Sequence, residues 1–281
     1  MHHARQVANA HKFLELHRKG DAVLLANAWS PGSAAIVESL GYEAVATTSS
    51  GISFSLGQPD GEGIPIEQML GVVRSIVNRV AVPVTADIEG AYGSTPDSVF
   101  ENVKRFLDIG VAGLNIEDSH HAALLDFSVA SDRYRAARES AEAFGVPVVI
   151  NSRIDTFLYG SFGVDTVIET ISRARAYTDA GVDCVFIPGI SSGATIRDVV
   201  KGIDSPVNVL AEPNGLSVSD LNDLDVARIS VGGNIYQAAL GYAKTAMQEL
   251  KRFGTQTYFS EAVNYSELQS LFLTNSQRKS D

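Results

Sequence analysis

The stretch PVTADIEGAYG, residues 83–93, opens like a buried β-strand and ends in two carboxylates, Asp87 and Glu89. Side chains alternate faces along a strand, so positions two apart share a side. Two acids held together repel each other unless a cation or a shared proton lies between them. Other apolar runs finish in polar residues too. Asn27 and Trp29 follow AVLLA, TTSSG spans Thr47 to Gly51, and AGLNIED closes on Glu117 and Asp118. PVVINSRID carries Asn151, Arg153 and Asp155, PVNVLAE carries Asn208 and Glu212, and Asp60 sits in the loop LGQPDGEG.

So many carboxylates at strand ends suit a hard divalent ion. Mg²⁺ takes oxygen ligands octahedrally, keeps several waters and binds one or two carboxylates directly; Mn²⁺ is an acceptable substitute. Asp87, Glu89, Asp60 and Glu117 are the candidate metal-facing acids. Arg153 offers a planar fork for a substrate carboxylate. Ser50 and Gly51 offer a hydroxyl and an approachable backbone for a second anionic oxygen. Trp29 and Asn208 are further candidate substrate contacts, Trp29 serving equally well as rim packing. His120 and His121 are candidate acid–base groups, because histidine titrates near neutrality. The plainer alternatives are an Arg153–Asp155 structural ion pair and loop or cap roles for Asp118 and Asp126.

Something must bring these strand ends to one place. Eight near-continuous apolar runs recur, at 22–28, 43–49, 83–89, 112–118, 147–153, 184–189, 206–212 and 227–233. Such runs suit parallel strands buried on both faces. Helical patterns alternate with them at 31–40, 65–80, 96–109, 132–144, 164–180, 194–203, 218–224 and 235–252. Prolines at 31, 65 and 96 mark first turns, and Gly41, Gly110, Gly145 and Gly181 follow helix ends. Eight βα units without a composition break predict an α/β fold, a single (β/α)₈ barrel over residues 1–252. In such barrels the C-terminal strand ends and the loops after them form one rim. A helical tail, 253–281, follows, and its YSELQSLFL needs a surface to pack on.

The chain has 281 residues, 33 acidic against 22 basic, for a net charge of −11. No basic run or stripe invites nucleic acid or an anionic membrane. The only cysteine, Cys184, lies in the apolar run CVFIP, which rules out an internal disulfide and a cysteine-rich metal site. No apolar run approaches the roughly 18 residues of a membrane span, so a cytoplasmic protein is expected.

Together, TTSSGISFSLGQPDG, ADIEGAYG, VAGLNIEDS and INSRIDTFL resemble the isocitrate lyase/phosphoenolpyruvate mutase superfamily, in order and spacing, over residues 26–241. The resemblance implies a (β/α)₈ barrel whose last helix is exchanged between subunits, giving a dimer of dimers. It implies a Mg²⁺ site for a small anionic 2-oxo acid or its enolate. By position, Asp87 becomes the direct metal ligand, with Asp60, Glu89 and Glu117 acting largely through waters. Ser50, Gly51 and Arg153 hold the substrate anion.

Lyases of this family carry a cysteine motif on the loop after strand four. That region here reads EDSHHAALLDFSVASD and has no cysteine, and the lysine–asparagine loop of the phosphonate-forming mutases is also missing. The expected activity is therefore Mg²⁺-dependent decarboxylation of an oxaloacetate-like 2-oxo dicarboxylic acid through an enolate. Aldol-type cleavage of a 2-methylisocitrate-like tricarboxylate, phosphonopyruvate-type C–P chemistry and non-catalytic 2-oxo acid binding are the alternatives.

Overall fold

The computed structural model describes residues 2–160 and 165–277. In chain order its strands are β1 (Val23–Leu25), β2 (Asn27–Ala28), β3 (Val45–Thr47), β4 (Val84–Asp87), β5 (Gly113–Glu117) and β6 (Ser119–His120). They continue as β7 (Ala123–Leu124), β8 (Val149–Arg153), β9 (Cys184–Ile187), β10 (Val207–Leu210) and β11 (Arg228–Ser230). All but β6 and β7 form one sheet in the order β1-β11-β10-β9-β8-β5-β4-β3-β2, and its pairings are parallel. β1 and β2 are one strand interrupted at Ala26; β1 pairs with β11 and β2 with β3, so the ring closes. Counted that way, the sheet is an eight-stranded (β/α)₈ barrel.

The helices are α1 (His2–Glu15), α2 (Pro31–Ser39), α3 (Ser49–Ser55), α4 (Ile66–Arg79), α5 (Pro96–Asp108) and α6 (Phe127–Phe144). After them come α7 (Thr156–Tyr159), α8 (Thr166–Asp179), α9 (Gly193–Gly202), α10 (Val218–Asn222), α11 (Asn234–Phe253) and α12 (Tyr265–Gln277). Reciprocal capping boxes start α2 (Ser30 with Ser33) and α5 (Thr95 with Ser98), each with proline in the first turn. Gly145 ends α6 in the left-handed conformation that a side chain would strain.

Three expectations change. Helix α6 begins at Phe127, five residues before the expected start, because Asp126 caps it by accepting from the Ser128 N–H at 2.9 Å. Strand β4 stops at Asp87, so Glu89 lies beyond the strand, at φ +53°. Its proximity to Asp87 therefore comes from a left-handed turn and not from strand alternation. Ser50 and Gly51, which follow the apolar run 43–49, fall in the first turn of α3, a helix outside the expected eight. The expected helix start at Val164 and the last four residues of the tail lie outside the described residues.

Helix α1 closes the barrel floor. Buried Phe13 leaves no room for a side chain at Gly113, where a Cβ would meet its ring at 2.8 Å. Above it lies Arg228, the largest fully buried side chain among the described residues, its guanidinium 5.5 Å from the Phe13 ring and bonded to Asn115 Oδ1 at 2.9 Å. Burial pulls the Arg228 pKa down to about 10. Cys184 is wholly buried on β9, with its thiol pushed up to about 12, as befits an inert packing residue. In the tail, α12 lies against α2: Phe272 comes within 3.6 Å of where a Gly32 Cβ would be, and Arg79 stacks over its ring. Helix α11 leaves Leu240, Tyr242, Met247, Leu250 and Phe253 exposed. Among the described residues, no helix is long and apolar enough to cross a membrane.

Candidate active site

The rim at the C-terminal strand ends encloses a cavity of about 320 Å³ lined by Ser49, Asp60, Glu89, Glu117, Ser119, His121, Arg153 and Tyr159, among others. Asp87, at the end of β4, adjoins this lining through Ser49. Its Oδ2 accepts from the Ser49 N–H at 3.1 Å and from the Ser49 hydroxyl at 2.8 Å. Its own N–H donates to Thr47 Oγ1 at 2.9 Å. These contacts fix the carboxylate before any ligand arrives.

Glu89 is buried. Its Oε2 accepts from the Glu62 N–H, and the Tyr92 hydroxyl points at its Oε1 from 3.4 Å. Burial pushes its carboxyl up to about 7; the Glu62 N–H opposes the shift, and the charges of Asp87, Asp60 and Glu62 add to it. Glu117, at the end of β5, is pushed up to about 8 by burial, against the pull of Arg153. Asp60 is raised by burial and then by the Asp87 charge. Each acid thus feels its neighbours, as expected of carboxylates gathered without a counter-ion.

The cation in this cavity is Arg153. Strand pairing places it opposite Glu117, and its Nη1 reaches Glu117 Oε2 at 2.7 Å while its Nε donates to Asp155 Oδ1 at 2.7 Å. Burial opposes its charge, but Glu117 and Asp155 outweigh that and hold it protonated. The Arg153–Asp155 ion pair is thus present, within a larger network. Asp155 is fully buried and also takes the Ser119 hydroxyl. Asp118 lies in the bend between β5 and β6, but it is no solvated loop acid. It is fully buried, accepts from the Asp155 N–H at 2.9 Å and the Tyr177 hydroxyl at 2.9 Å, and pairs with Arg173 at 3.2 Å. Behind the rim it holds the chain segment that carries Arg153.

His120 and His121 sit at the tip of the β6–β7 hairpin, ring centroids 3.9 Å apart, with His121 and Ala122 both left-handed. His121 faces the acidic cavity, whereas His120 lines a neighbouring cavity of about 200 Å³ with Glu62, Tyr92 and Arg133. Trp29 packs edge-on against Tyr236, ring centroids 5.2 Å apart. A Gly51 side chain would collide with Thr48 at 2.6 Å and crowd Trp29 at 3.2 Å, so glycine is required there. Ser50 bonds Thr48 at 3.0 Å. Asn208 is fully buried in the barrel interior, where the Ser230 hydroxyl donates to it at 3.3 Å. Ser49, Ser119, Tyr159 and Glu62 were not singled out from the sequence. Ser49 and Glu62 adjoin residues that were, but nothing in residue type marked them.

Among the described residues no three carboxylates or histidines converge as direct ligands of one ion. Asp60, Glu89 and Glu117 on the cavity wall, with Asp87 beside them, are the oxygen donors available to a hydrated ion such as Mg²⁺, which needs few direct carboxylate ligands. The electrostatics give a test. A carboxyl raised in the folded state is stabilising in its protonated form, so the contribution of Glu89 and Glu117 is complete below their ordinary 4.5 and is lost toward about 7 and about 8. In EDTA the melting temperature is expected to fall between about pH 5 and about pH 8, and Glu117→Gln to flatten that fall. Thermal melts across this range check it; a wild-type melting temperature that climbs instead would contradict it.

A closed parallel barrel with an acidic, arginine-bearing pocket at its C-terminal rim defines the class: a (β/α)₈ barrel with its site where such barrels carry their chemistry. The chain belongs to the phosphoenolpyruvate phosphomutase family, whose model matches residues 13–251, within the isocitrate lyase/phosphoenolpyruvate mutase superfamily. A solved structure from Burkholderia cenocepacia J2315, its function given only as lyase/mutase, superposes with a TM-score of 0.90 at 34% identity, over 96% of this chain and 97% of that one. An oxaloacetate decarboxylase of Rhodopseudomonas palustris is 28% identical, over 88% of this chain and 83% of its own length. A 2-methylisocitrate lyase of Escherichia coli is 27% identical, over 79% and 78%.

Proposed function

We propose that the protein is a Mg²⁺-dependent carbon–carbon lyase that decarboxylates a small 2-oxo dicarboxylic acid, oxaloacetate being the first substrate to test. The observation that carries this reading is the charge inventory of the cavity. Arg153 is the one arginine or lysine among the described residues that line it, set against the acids Asp60, Glu89 and Glu117. One substrate carboxylate finds a fork there; a second or third finds only acids. A bound dicarboxylate therefore leaves its second carboxylate unpaired by Arg153 and free to depart as CO₂. At about 320 Å³ the cavity has room for a four-carbon acid together with a hydrated ion.

When bound, Mg²⁺ supplies a Lewis acid that stabilises negative charge on the 2-oxo oxygen. Arg153 holds the C1 carboxylate, and Glu117 and Asp155 hold Arg153. The C3–C4 electron pair moves toward the 2-oxo group as CO₂ departs, leaving the enolate of pyruvate. His121 or a water then delivers a proton to C3, with no thiol needed. The exposed apolar face of α11 supports a homo-oligomer.

Purified protein with Mg²⁺ tests the reading when offered oxaloacetate, 2-methylisocitrate and phosphonopyruvate separately. Pyruvate and CO₂ from oxaloacetate, well above the rate with free Mg²⁺ and abolished by EDTA, are expected. Succinate from the tricarboxylate, with oxaloacetate untouched, would overturn the choice of bond. Binding of oxaloacetate without turnover would identify a 2-oxo acid binder.

A further inference from the structure

The geometry points to Glu62 as a positioning residue that latches the Asp60 loop onto the turn carrying Glu89, and so sets the spacing of the metal-facing acids. This inference rests on the metal site proposed above. Glu62 lies two residues beyond Asp60 and makes two contacts across to the β4 turn. Its backbone N–H donates to Glu89 Oε2. In return its Oε1 accepts the Tyr92 N–H at 2.8 Å. The Tyr92 hydroxyl then points back to Glu89 Oε1 at 3.4 Å, completing a ring of contacts among the three residues. Gly90 belongs to the same fit, since a Cβ there would lie 2.9 Å from Glu62 Oε1 and 3.4 Å from Arg133 Nη2.

Both partners are held in conformations they would not adopt alone. Glu62, Glu89, Ala91 and Tyr92 all have φ between +52° and +59°, a region side-chain-bearing residues rarely occupy. Such strain persists only where surrounding contacts over-determine it. Arg133 supplies one brace from beneath, donating from Nη2 to the Gly90 carbonyl and from Nη1 to the Glu117 carbonyl at 3.4 Å. The Glu62 carboxylate supplies the other. Without it, the Tyr92 N–H loses its acceptor and the Glu62 N–H on Glu89 is what still ties this loop to the β4 turn.

The charge of Glu62 is a cost in the metal-free site, because it adds to the repulsion around Glu89. A glutamine could accept the same Tyr92 N–H without that cost. The latch and the charge are therefore separable: Glu62→Gln keeps the first and removes the second, and Glu62→Ala removes both.

Two measurements on the full chain test the proposal, with circular dichroism confirming that each variant folds. In EDTA, amide exchange of segments 57–64 and 88–94 is expected to quicken in Glu62→Ala, with the rest of the barrel unchanged, and to match wild type in Glu62→Gln. Glu62→Gly suits the left-handed backbone yet lacks the carboxylate, and is expected to behave as Glu62→Ala does. By calorimetry, Mn²⁺ should bind Glu62→Ala roughly 10- to 100-fold more weakly than wild type, as for other residues that orient metal ligands. Glu62→Gln should stay within a few-fold. Unchanged exchange in Glu62→Ala overturns the latch, whatever the metal does, and so does Mn²⁺ binding at wild-type strength in a variant whose exchange has quickened. Asp87→Ala separates the two ideas: if it binds Mn²⁺ as wild type does, the metal site has been misplaced, while the exchange result still judges the latch.

Discussion

Asp87→Ala is expected to lower Mg²⁺-dependent turnover by at least about a thousandfold, because a Lewis-acid metal supplies several kcal/mol and each 1.36 kcal/mol is a factor of ten. Asp87 is the acid already aimed and satisfied on its protein side, by the Ser49 N–H and hydroxyl, and it stands at the end of a central barrel strand. Removing it leaves Asp60, Glu89 and Glu117, which the structure ties to their own neighbours or sets on a loop. The fold should survive, since the contacts forfeited are two hydrogen bonds to Ser49, about 1.5–3 kcal/mol each, offset in part by relieved repulsion with Asp60 and Glu89. Steady-state rates at saturating Mg²⁺, beside a thermal melt, check both halves. Full metal-dependent activity in this variant would remove Asp87 from the centre of the site.

Arg153→Met should cost both activity and stability. The guanidinium lies between Glu117 at 2.7 Å and Asp155 at 2.7 Å, and Asp155 is fully buried. Breaking a buried pair by removing one partner leaves an uncompensated charge and typically costs about 3–5 kcal/mol. Turnover should fall at the same time, because the substrate carboxylate loses its fork. Arg153→Lys should not restore it, since an ammonium is a point charge and cannot reach both acids while presenting a further edge. Adding Glu117→Gln to Arg153→Met should recover part of the stability and none of the activity. Urea denaturation of the single and double variants reads the first effect, and rate assays the second.

The barrel was legible in the sequence because its signal is repeated: eight apolar runs with helices between them leave few alternatives. Most strand positions agree within two or three residues. The misreadings have local causes. Glu89 reads as a continuation of β4 because no glycine or proline precedes it; the chain instead turns left-handed there, and contacts from Glu62 hold it. Asp126 takes the cap role its type allows, and it starts α6 five residues before the helical pattern at 132–144. Helix α1 precedes the first βα unit, so the repeat does not announce it, and its role as the barrel floor appears only when Phe13 meets Gly113.

Within the site, the acids and Arg153 were legible because charged residues at the ends of buried strands are conspicuous. Ser49, Tyr159 and Glu62 were not, because each acts through direction rather than type. Asp118 was misjudged for the opposite reason. An acid after a strand resembles a cap, and only packing reveals Arg173 and Tyr177, 55 and 59 residues further on, converging on it. The sequence offers His120 and His121 as a pair, yet the hairpin sends them to different cavities.

The most direct test of the account is whether the site makes an enolate of a 2-oxo acid. Pyruvate incubated in D₂O with the protein and Mg²⁺ should exchange its methyl protons for deuterium, seen by proton NMR as decay of the methyl signal. The decay should outpace a protein-free Mg²⁺ control and stop with EDTA or in Asp87→Ala. A methyl signal that persists as it does without protein, while the protein binds both Mg²⁺ and pyruvate, would contradict enolate chemistry at this rim.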